Sequence, residues 1–255
     1  MIRGLYTASS GMMLQMVRQD VLANNLANAN TSGFKRDMVI AQEFPTLLLK
    51  RMGEVTRENS IRKPVKPEDI GYLGTGAAVQ QIVTDYNNGA YKATENPFDL
   101  ALADEDCFFC IETPAGVRYT RNGSFSVDAE GRLVNANGYS VLGLGGPVLV
   151  EGDFVVDERG NIIQDGVTVD TLSIVRFPDL DVLTKVGNDL YAAEGQEPET
   201  PENPRVLQGY LESANVNAVR EMVDLITVVR SYEVMQKVIQ SQDETLDRLI
   251  NQAGR

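Results

Sequence analysis

Apolar residues recur at helical spacing at both ends of this chain, and the region between them alternates at the period of strands. Near the N-terminus, Leu5, Met12, Gln19 and Leu26 repeat every seven residues, with Ala8, Gln15 and Leu22 at the intermediate positions. Met13, Met16, Val17 and Val21 lay a second stripe beside them. The spacing therefore predicts a helix over 5–28 with a wide apolar face. The run Asn28-Ala29-Asn30-Thr31-Ser32-Gly33 supplies turn and C-cap chemistry that stops it before Phe34.

From about 215 to 251 the chain has neither Gly nor Pro. A helix of that length runs roughly 55 Å. Its main seam is Met222, Leu225, Val229, Tyr232, Gln236, Ile239, Asp243, Leu246 and Ile250, and a second stripe of Val216, Val219, Val223 and Ile226 flanks the first half. Ser213, ahead of Asn215 and Val216, reads as a capped start. A two-stranded coiled coil needs only one narrow seam. Two stripes call for partners on more than one side, so the extra width favours a bundle shared among subunits over a plain antiparallel pair within one chain.

The middle, over about 75–190, reads as β-rich. Phe125-Ser-Val-Asp128-Ala-Glu-Gly131-Arg-Leu133 recurs 29 residues later as Phe154-Val-Val-Asp157-Glu-Arg-Gly160-Asn-Ile162. Each copy predicts a strand, an Asp-x-x-Gly turn and a second strand. A calcium loop needs alternate carboxylates and a closing bidentate Glu, which neither copy has. All ten prolines lie between Pro45 and Pro204, so punctuation is confined to the middle. The expected fold class is α+β: N- and C-terminal helices packing as a coiled-coil-like pair, with an inserted all-β domain joined by extended linkers. The boundaries are 1–36 for the N-terminal helix, 37–80 for an extended linker, 81–190 for the β domain, 191–214 for an extended acidic linker and 215–255 for the C-terminal helix.

Composition narrows the chemistry. The 255 residues include no His and no Trp, so no His-based triad, shuttle or metal site exists. Net charge is −13, divided into +5 over residues 1–66 and −18 over the rest. That balance argues against nucleic acid as a partner and suits surfaces of opposite sign that meet. No stretch of about 18 apolar residues is present, and the N-terminal sequence lacks an apolar secretory core. Taken alone, those two features point to the cytoplasm.

Candidate chemistry is sparse. Cys107 and Cys110 lack further zinc ligands, and a strand would put them on opposite faces roughly 10 Å apart. They read as core residues without a disulfide. Asp104-Glu105-Asp106 offers paired carboxylates but reads as a solvated turn. Gly143, Gly145 and Gly146 lack the Lys and the helix start of a phosphate loop. Tyr119, Arg121 and Phe125 could stack on a sugar, although hairpin alternation explains them without one. No catalytic, cofactor or metal residue is assigned, and no enzymatic activity is expected.

The ends are more specific. Ser10-Gly11-Met12, followed by Asp20-Val-Leu-Ala-Asn24-Asn25-Leu26-Ala-Asn28-Ala-Asn-Thr31-Ser-Gly33-Phe34-Lys35, resembles the signature of bacterial flagellar rod and hook proteins. Leu211-Glu212-Ser213-Ala214-Asn215-Val216-Asn217 looks like the matching C-terminal signature, as does Glu221-Met222-Val223-Asp224-Leu225-Ile226 with Arg230-Ser231-Tyr232-Glu233. In the middle, Asn96-Pro97-Phe98-Asp99-Leu100-Ala101-Leu102 and Tyr119-Thr-Arg-Asn-Gly-Ser-Phe125 are similar to rod-member segments. The length suits a basal-body rod member with one β domain, proximal or distal. Thr113-Pro-Ala-Gly116 and Gly138-Tyr-Ser-Val-Leu-Gly143 lean to the proximal one.

The resemblance implies a structural subunit that polymerises through its terminal helices into the torque-transmitting shaft. The interface would use Leu5, Met12, Met16, Leu22 and Leu26 against Val216, Val219, Met222, Leu225, Ile226, Val229, Tyr232, Ile239 and Leu246. Implied partners are copies of itself, neighbouring rod and hook proteins, and the flagellar type III export apparatus, with neither nucleic acid nor membrane insertion. The resemblance also replaces the cytoplasm with the basal body as the expected location. The alternative from another class is an extracellular glycan- or peptidoglycan-binding β module on a coiled-coil stalk.

Overall fold

Among the described residues, two α-helices frame the chain and the strands lie between them. The computed structural model describes residues 2–51, 56–58, 61–63, 68–152, 154–187, 189–193 and 195–253. Helix α1 is Ile2–Ala27 and helix α2 is Ala218–Ala253, which makes the fold α+β. Helix α1 ends as expected, in turns over the asparagine-rich run. The Asn28 amide and side chain both donate to the Asn24 carbonyl, at 3.1 and 3.0 Å. Helix α2 begins later than expected. Its cap is Asn217, whose Oδ1 accepts the Arg220 amide at 3.1 Å. Ser213 instead continues a strand ladder, its amide donating to the Ala90 carbonyl.

The chain divides into two units. The first comprises Met1–Ala23, Met38–Ile82 and Met222–Arg255, and the second Asn24–Asp37 and Val83–Glu221. Within the first, the segment expected to be an extended linker carries paired strands. Leu47–Arg51 runs antiparallel to Glu68–Leu73, with Leu47 opposite Leu73 and Leu48 opposite Tyr72. Thr56–Glu58 pairs with Ile61–Lys63. The strand Asp37–Glu43, which enters this unit at Met38, pairs with Ala77–Thr84, which leaves it after Ile82. Extended backbone satisfies its N–H and C=O groups by pairing, and the apolar run Leu47-Leu48-Leu49 gives it a reason to do so. Pro64 and Pro67 lie outside the described residues.

The second unit is built on the strand Cys107–Thr113, which is buried on both faces. Gly116–Thr120, Ser140–Gly143 and Ile174–Arg176 all pair antiparallel with it. Side-chain alternation sends Cys107, Phe109 and Ile111 into one core with Phe125, Leu133 and Ile162. Phe108 and Cys110 enter the other, with Tyr86, Phe177 and Tyr191. The two thiols therefore sit on opposite faces and are free. Burial pushes the Cys107 thiol up to about 12. The neighbouring carboxylates of Asp106 and Asp104 push in the same direction.

Both copies of the repeat form the predicted turn. Asp128 accepts the Glu130 and Arg132 amides on Oδ1, at 3.0 and 2.7 Å. Asp157 accepts those of Arg159 and Asn161 at 2.9 and 2.8 Å. Gly131 and Gly160 close the turns at φ values of +79° and +82°, a region that only glycine enters without strain.

Burial alone would raise the Asp157 carboxyl, but the bonds from Asn161 and the Arg159 amide outweigh it and hold the group below its ordinary value. A lowered carboxyl stabilises the fold at every pH above its ordinary value, and that gain is lost as pH falls through the lowered one. Asp157→Ala is therefore expected to melt lower than wild type at neutral pH, with the gap closing as pH falls below the ordinary carboxylate range. Thermal melts across that range check it, and a gap independent of pH would place the effect outside the carboxylate.

Candidate functional site

The resemblance-bearing segments Asn24–Lys35, Asn96–Leu102, Tyr119–Phe125 and Leu211–Asn217 lie in the second unit. After α1, Gly33 takes φ +69°, and its amide donates to the Glu212 carbonyl at 2.8 Å. A Cβ at Gly33 would stand 2.4 Å from the Arg121 backbone. This turn delivers Phe34 and Lys35 inward. Phe34 is buried beneath the Lys185 ammonium, 4.5 Å from its ring centre. Lys185 also donates to the Lys35 carbonyl at 2.6 Å and to Asp37 Oδ1 at 2.8 Å.

Glu212 is the centre of the site. The strand Tyr210–Glu212 pairs with Tyr91–Ala93, which sets Glu212 beside Asn88 and Gly89. Its carboxylate takes Lys35 Nζ on Oε1 at 2.6 Å and Arg121 Nη2 on Oε2 at 2.9 Å. The Gly89 amide donates to Oε1 at 3.0 Å. All three charged side chains are 0–1% exposed. Arg121 spends its remaining donors on the carbonyls of Asp104, Cys107 and Leu102 and on Asn88 Oδ1, the last at 2.6 Å. Burial, then the Arg121 charge, push the Lys35 ammonium below its ordinary value, while Glu212 pulls it up. Gly89 has no room for a side chain, since a Cβ would lie 1.8 Å from the Ser213 carbonyl oxygen.

Asparagines bind the neighbouring backbone. Asn25 exchanges two 2.9 Å bonds with Asp37, its side chain accepting the amide and donating to the carbonyl. It also reaches Glu221 Oε2 at 3.5 Å, tying the last turn of α1 to the first turn of α2. Asn215 Oδ1 accepts the Arg36 amide at 2.8 Å, while its Nδ2 donates to the carbonyls of Asp85 and Asn87. Thr31 Oγ1 donates to Asn28 Oδ1, which braces the turn. Asn24, Leu26, Ser213 and Val216 belong to the same segments, Asn24 exposed and the other three half-buried.

The helical candidates have a different setting. In the first unit Gly11 lies against Met235, whose sulfur would meet a Cβ there at 2.7 Å, and Gly4 faces Gln242 seven residues on. Ser10 Oγ donates to the Thr7 carbonyl. Along α2 the less exposed line runs Leu225, Val228, Tyr232, Met235, Ile239, Gln242 and Leu246. It departs from the predicted seam by one residue at Val229, Gln236 and Asp243, and so puts Met235 where the prediction had a glutamine. Met12, Leu22 and Val229 are half-buried, whereas Leu5, Met16, Val219, Met222 and Ile226 are exposed, Val219 at 72%.

Sequence reasoning missed Arg121, Asn88, Gly89 and Lys185. Arg121 was visible as one of three alternating residues and within the Tyr119–Phe125 segment similar to rod members, without a role of its own. The other two are used in packing: Tyr119 meets the Phe177 ring at 4.9 Å and Phe125 meets Phe109 at 5.3 Å. Of the carboxylates at 104–106, Asp106 pairs with Arg176, and Asp104 Oδ2 accepts the Arg205 amide. Among the described residues no cluster of potential ligands could hold a metal ion.

Removing one partner of a buried ion cluster costs more than the cluster contributes, because it strands the remaining charges. Glu212→Gln leaves two buried cations uncompensated, and a loss of about 3–5 kcal/mol is expected in urea unfolding of the purified chain. Arg121→Lys is also expected to destabilise, since an ammonium cannot replace a fork that reaches three carbonyls. Losses well under 1 kcal/mol for both would mean that water screens the cluster.

Comparison with known proteins supports the same segments. The profile described as flagella basal body rod protein matches residues 5–35. That for the flagellar hook protein FlgE/F/G D1 domain matches 104–184, and that for the flagellar basal body rod FlgEFG protein C-terminal matches 207–252. The chain is 32% identical to the flagellar hook-basal body complex protein FlhO of Bacillus subtilis, with all of both chains covered. It is 35% identical to the flagellar basal-body rod protein FlgG of Borreliella burgdorferi, over 96% of this chain and 97% of that one. With FlgF of Rhizobium meliloti it shares 30%, over 98% of each. Alike from end to end, and matched at both termini and in the middle, this chain belongs to the flagellar basal-body rod protein family.

Proposed function

We propose that the chain is a structural subunit of the flagellar basal-body rod, located in the basal body and without catalytic turnover. The observation that carries this is the open apolar stripe at the start of α2. Val219, Met222, Val223 and Ile226 follow one another at spacings of three, one and three residues and are all exposed. So many large apolar side chains in one strip are stable in water only when another surface covers them. The finer reading follows from it. The terminal helices pack as a coiled-coil-like bundle with copies of the chain and with neighbouring rod and hook proteins. The subunit reaches its place through the flagellar type III export apparatus. The proximal-rod position and the 1–36, 37–80, 81–190, 191–214 and 215–255 boundaries belong to the same proposal. The glycan-binding alternative needs an outward aromatic face, and Tyr119 and Phe125 instead pack on Phe177 and Phe109.

The test pairs a structural control with a cellular readout. The doubly substituted Met222→Asp/Ile226→Asp chain is expected to unfold in urea with an unchanged midpoint for the second unit. In a strain lacking the native gene it should leave rods truncated and cells non-motile. Full motility with both carboxylates in place would remove α2 from the assembly surface. Isolated wild-type chain is also expected to show weak hydrogen-exchange protection along α2, and strong protection of 222–250 would sink ordering on assembly.

A further inference from the structure

Four groups that the rod reading leaves without a chemical role meet beside Glu212. Lys35 Nζ lies 3.4 Å from Asn88 Oδ1 and 2.6 Å from the Glu212 carboxylate. Arg121 Nη2 holds the same Asn88 oxygen at 2.6 Å. Asn88 Nδ2 is fixed from the other side by the Tyr91 hydroxyl at 3.0 Å and the Ala103 carbonyl at 2.9 Å. A primary amine therefore faces a side-chain carboxamide. A carboxylate stands ready to move its proton, and a guanidinium sits on the oxygen where charge would develop. These are the nucleophile, the electrophile, the base and the oxyanion donor of an amide exchange.

We propose that Lys35 and Asn88 join in an intramolecular isopeptide bond, with Glu212 carrying protons and Arg121 holding the oxyanion. Glu212 takes a proton from the Lys35 ammonium, and the freed pair on Nζ attacks Asn88 Cγ. The N–C bond forms as the carbonyl pair moves onto Oδ1, beneath Arg121. Glu212 gives its proton to Nδ2 and takes the surplus one from Nζ. The oxyanion pair then falls back, the Cγ–Nδ2 bond breaks with its electrons on nitrogen, and ammonia leaves. Ammonia accepts the proton left on Glu212 and departs as ammonium, which restores the carboxylate. Nothing is oxidised or reduced, and no outside reactant is needed.

Two surroundings favour this outcome over an ordinary ion-paired lysine. Desolvation and the charge of Arg121 both favour the neutral amine, which is the reactive form. Asn88 precedes a glycine, so attack by the Gly89 amide nitrogen to give a succinimide is the competing route. That N–H instead donates to Glu212 Oε1 at 3.0 Å, which holds its nitrogen away from the reaction. The bond would close residues 35–88 into a covalent ring. The inference stands on the geometry of the second unit and is independent of the rod reading.

Intact mass of the natively purified full chain, taken after denaturation, tests it. The expected mass is one ammonia below that of the sequence. Trypsin should give a single ion joining the Lys35 and Asn88 peptides, with no cleavage after Lys35, and hydroxylamine should leave it unchanged. Asn88→Ala and Lys35→Arg are expected to return the full mass, and Asn88→Asp to lose one water in place of ammonia. The linked wild-type ion counts for the proposal even where a variant fails to fold. Full mass after prolonged incubation of folded wild type overturns the proposal. So does a deficit that survives Lys35→Arg, or one that hydroxylamine removes, because a succinimide at an Asn-Gly pair behaves that way.

Discussion

The burial of one carboxylate between two cations from distant parts of the chain is the constraint on which the second unit depends. Glu212 gives up its hydration completely, and so do Lys35 and Arg121. Such desolvation is costly, and it is offset only where the geometry is close and every remaining donor and acceptor has a partner. Here it is met by short contacts, by the Gly89 amide on Glu212 and by three backbone carbonyls on Arg121. The demand for so many partners at once gives the cluster its specificity. A shift of one residue in the turn at Gly33, or a side chain at Gly89, would leave a charge buried without its partner.

The helices obey a different physics. Their stripes are wide, and among the described residues Ala8, Leu14 and Val228 are the apolar ones on them that are buried. A 36-residue helix such as α2 is far longer than the average in globular domains, where tertiary packing supplies most of the stability. Polar restraint in one unit contrasts with open apolar surface in the other. The first holds its conformation through buried charges, and the second leaves large apolar side chains open to water.

Local chemistry was legible in the sequence and convergence was not. The Asp-x-x-Gly turns declare themselves because the side chain bonds its own backbone two and four residues on. The opposite faces of Cys107 and Cys110 follow from strand periodicity. The α2 seam was read one residue off at three places because alternating threes and fours fit a double stripe in two registers, and only packing chooses Met235 over Gln236. Asn217 displaced Ser213 as the cap because Ser213 was claimed by the ladder to Ala90. Arg121 stood in a segment similar to rod members, but nothing in the sequence marked it as a buried ion-pair partner. A buried arginine is defined by what surrounds it, and its partners lie 14 to 91 positions away. The family resemblance pointed to Lys35 and Glu212 as signature residues, but it gave no indication that they touch.

Sequence separation has a further meaning for this pair. Lys35 and Glu212 stand 177 positions apart, so a chain that emerges N-terminus first presents its lysine long before the carboxylate exists to receive it. Closing so long a loop is slow, and the segment around Phe34 and Lys35 has no buried place until it closes. The unit is thus built with a delay. Its N-terminal segment around Phe34 and Lys35 stays without its charge partner until the strand Tyr210–Glu212 is made.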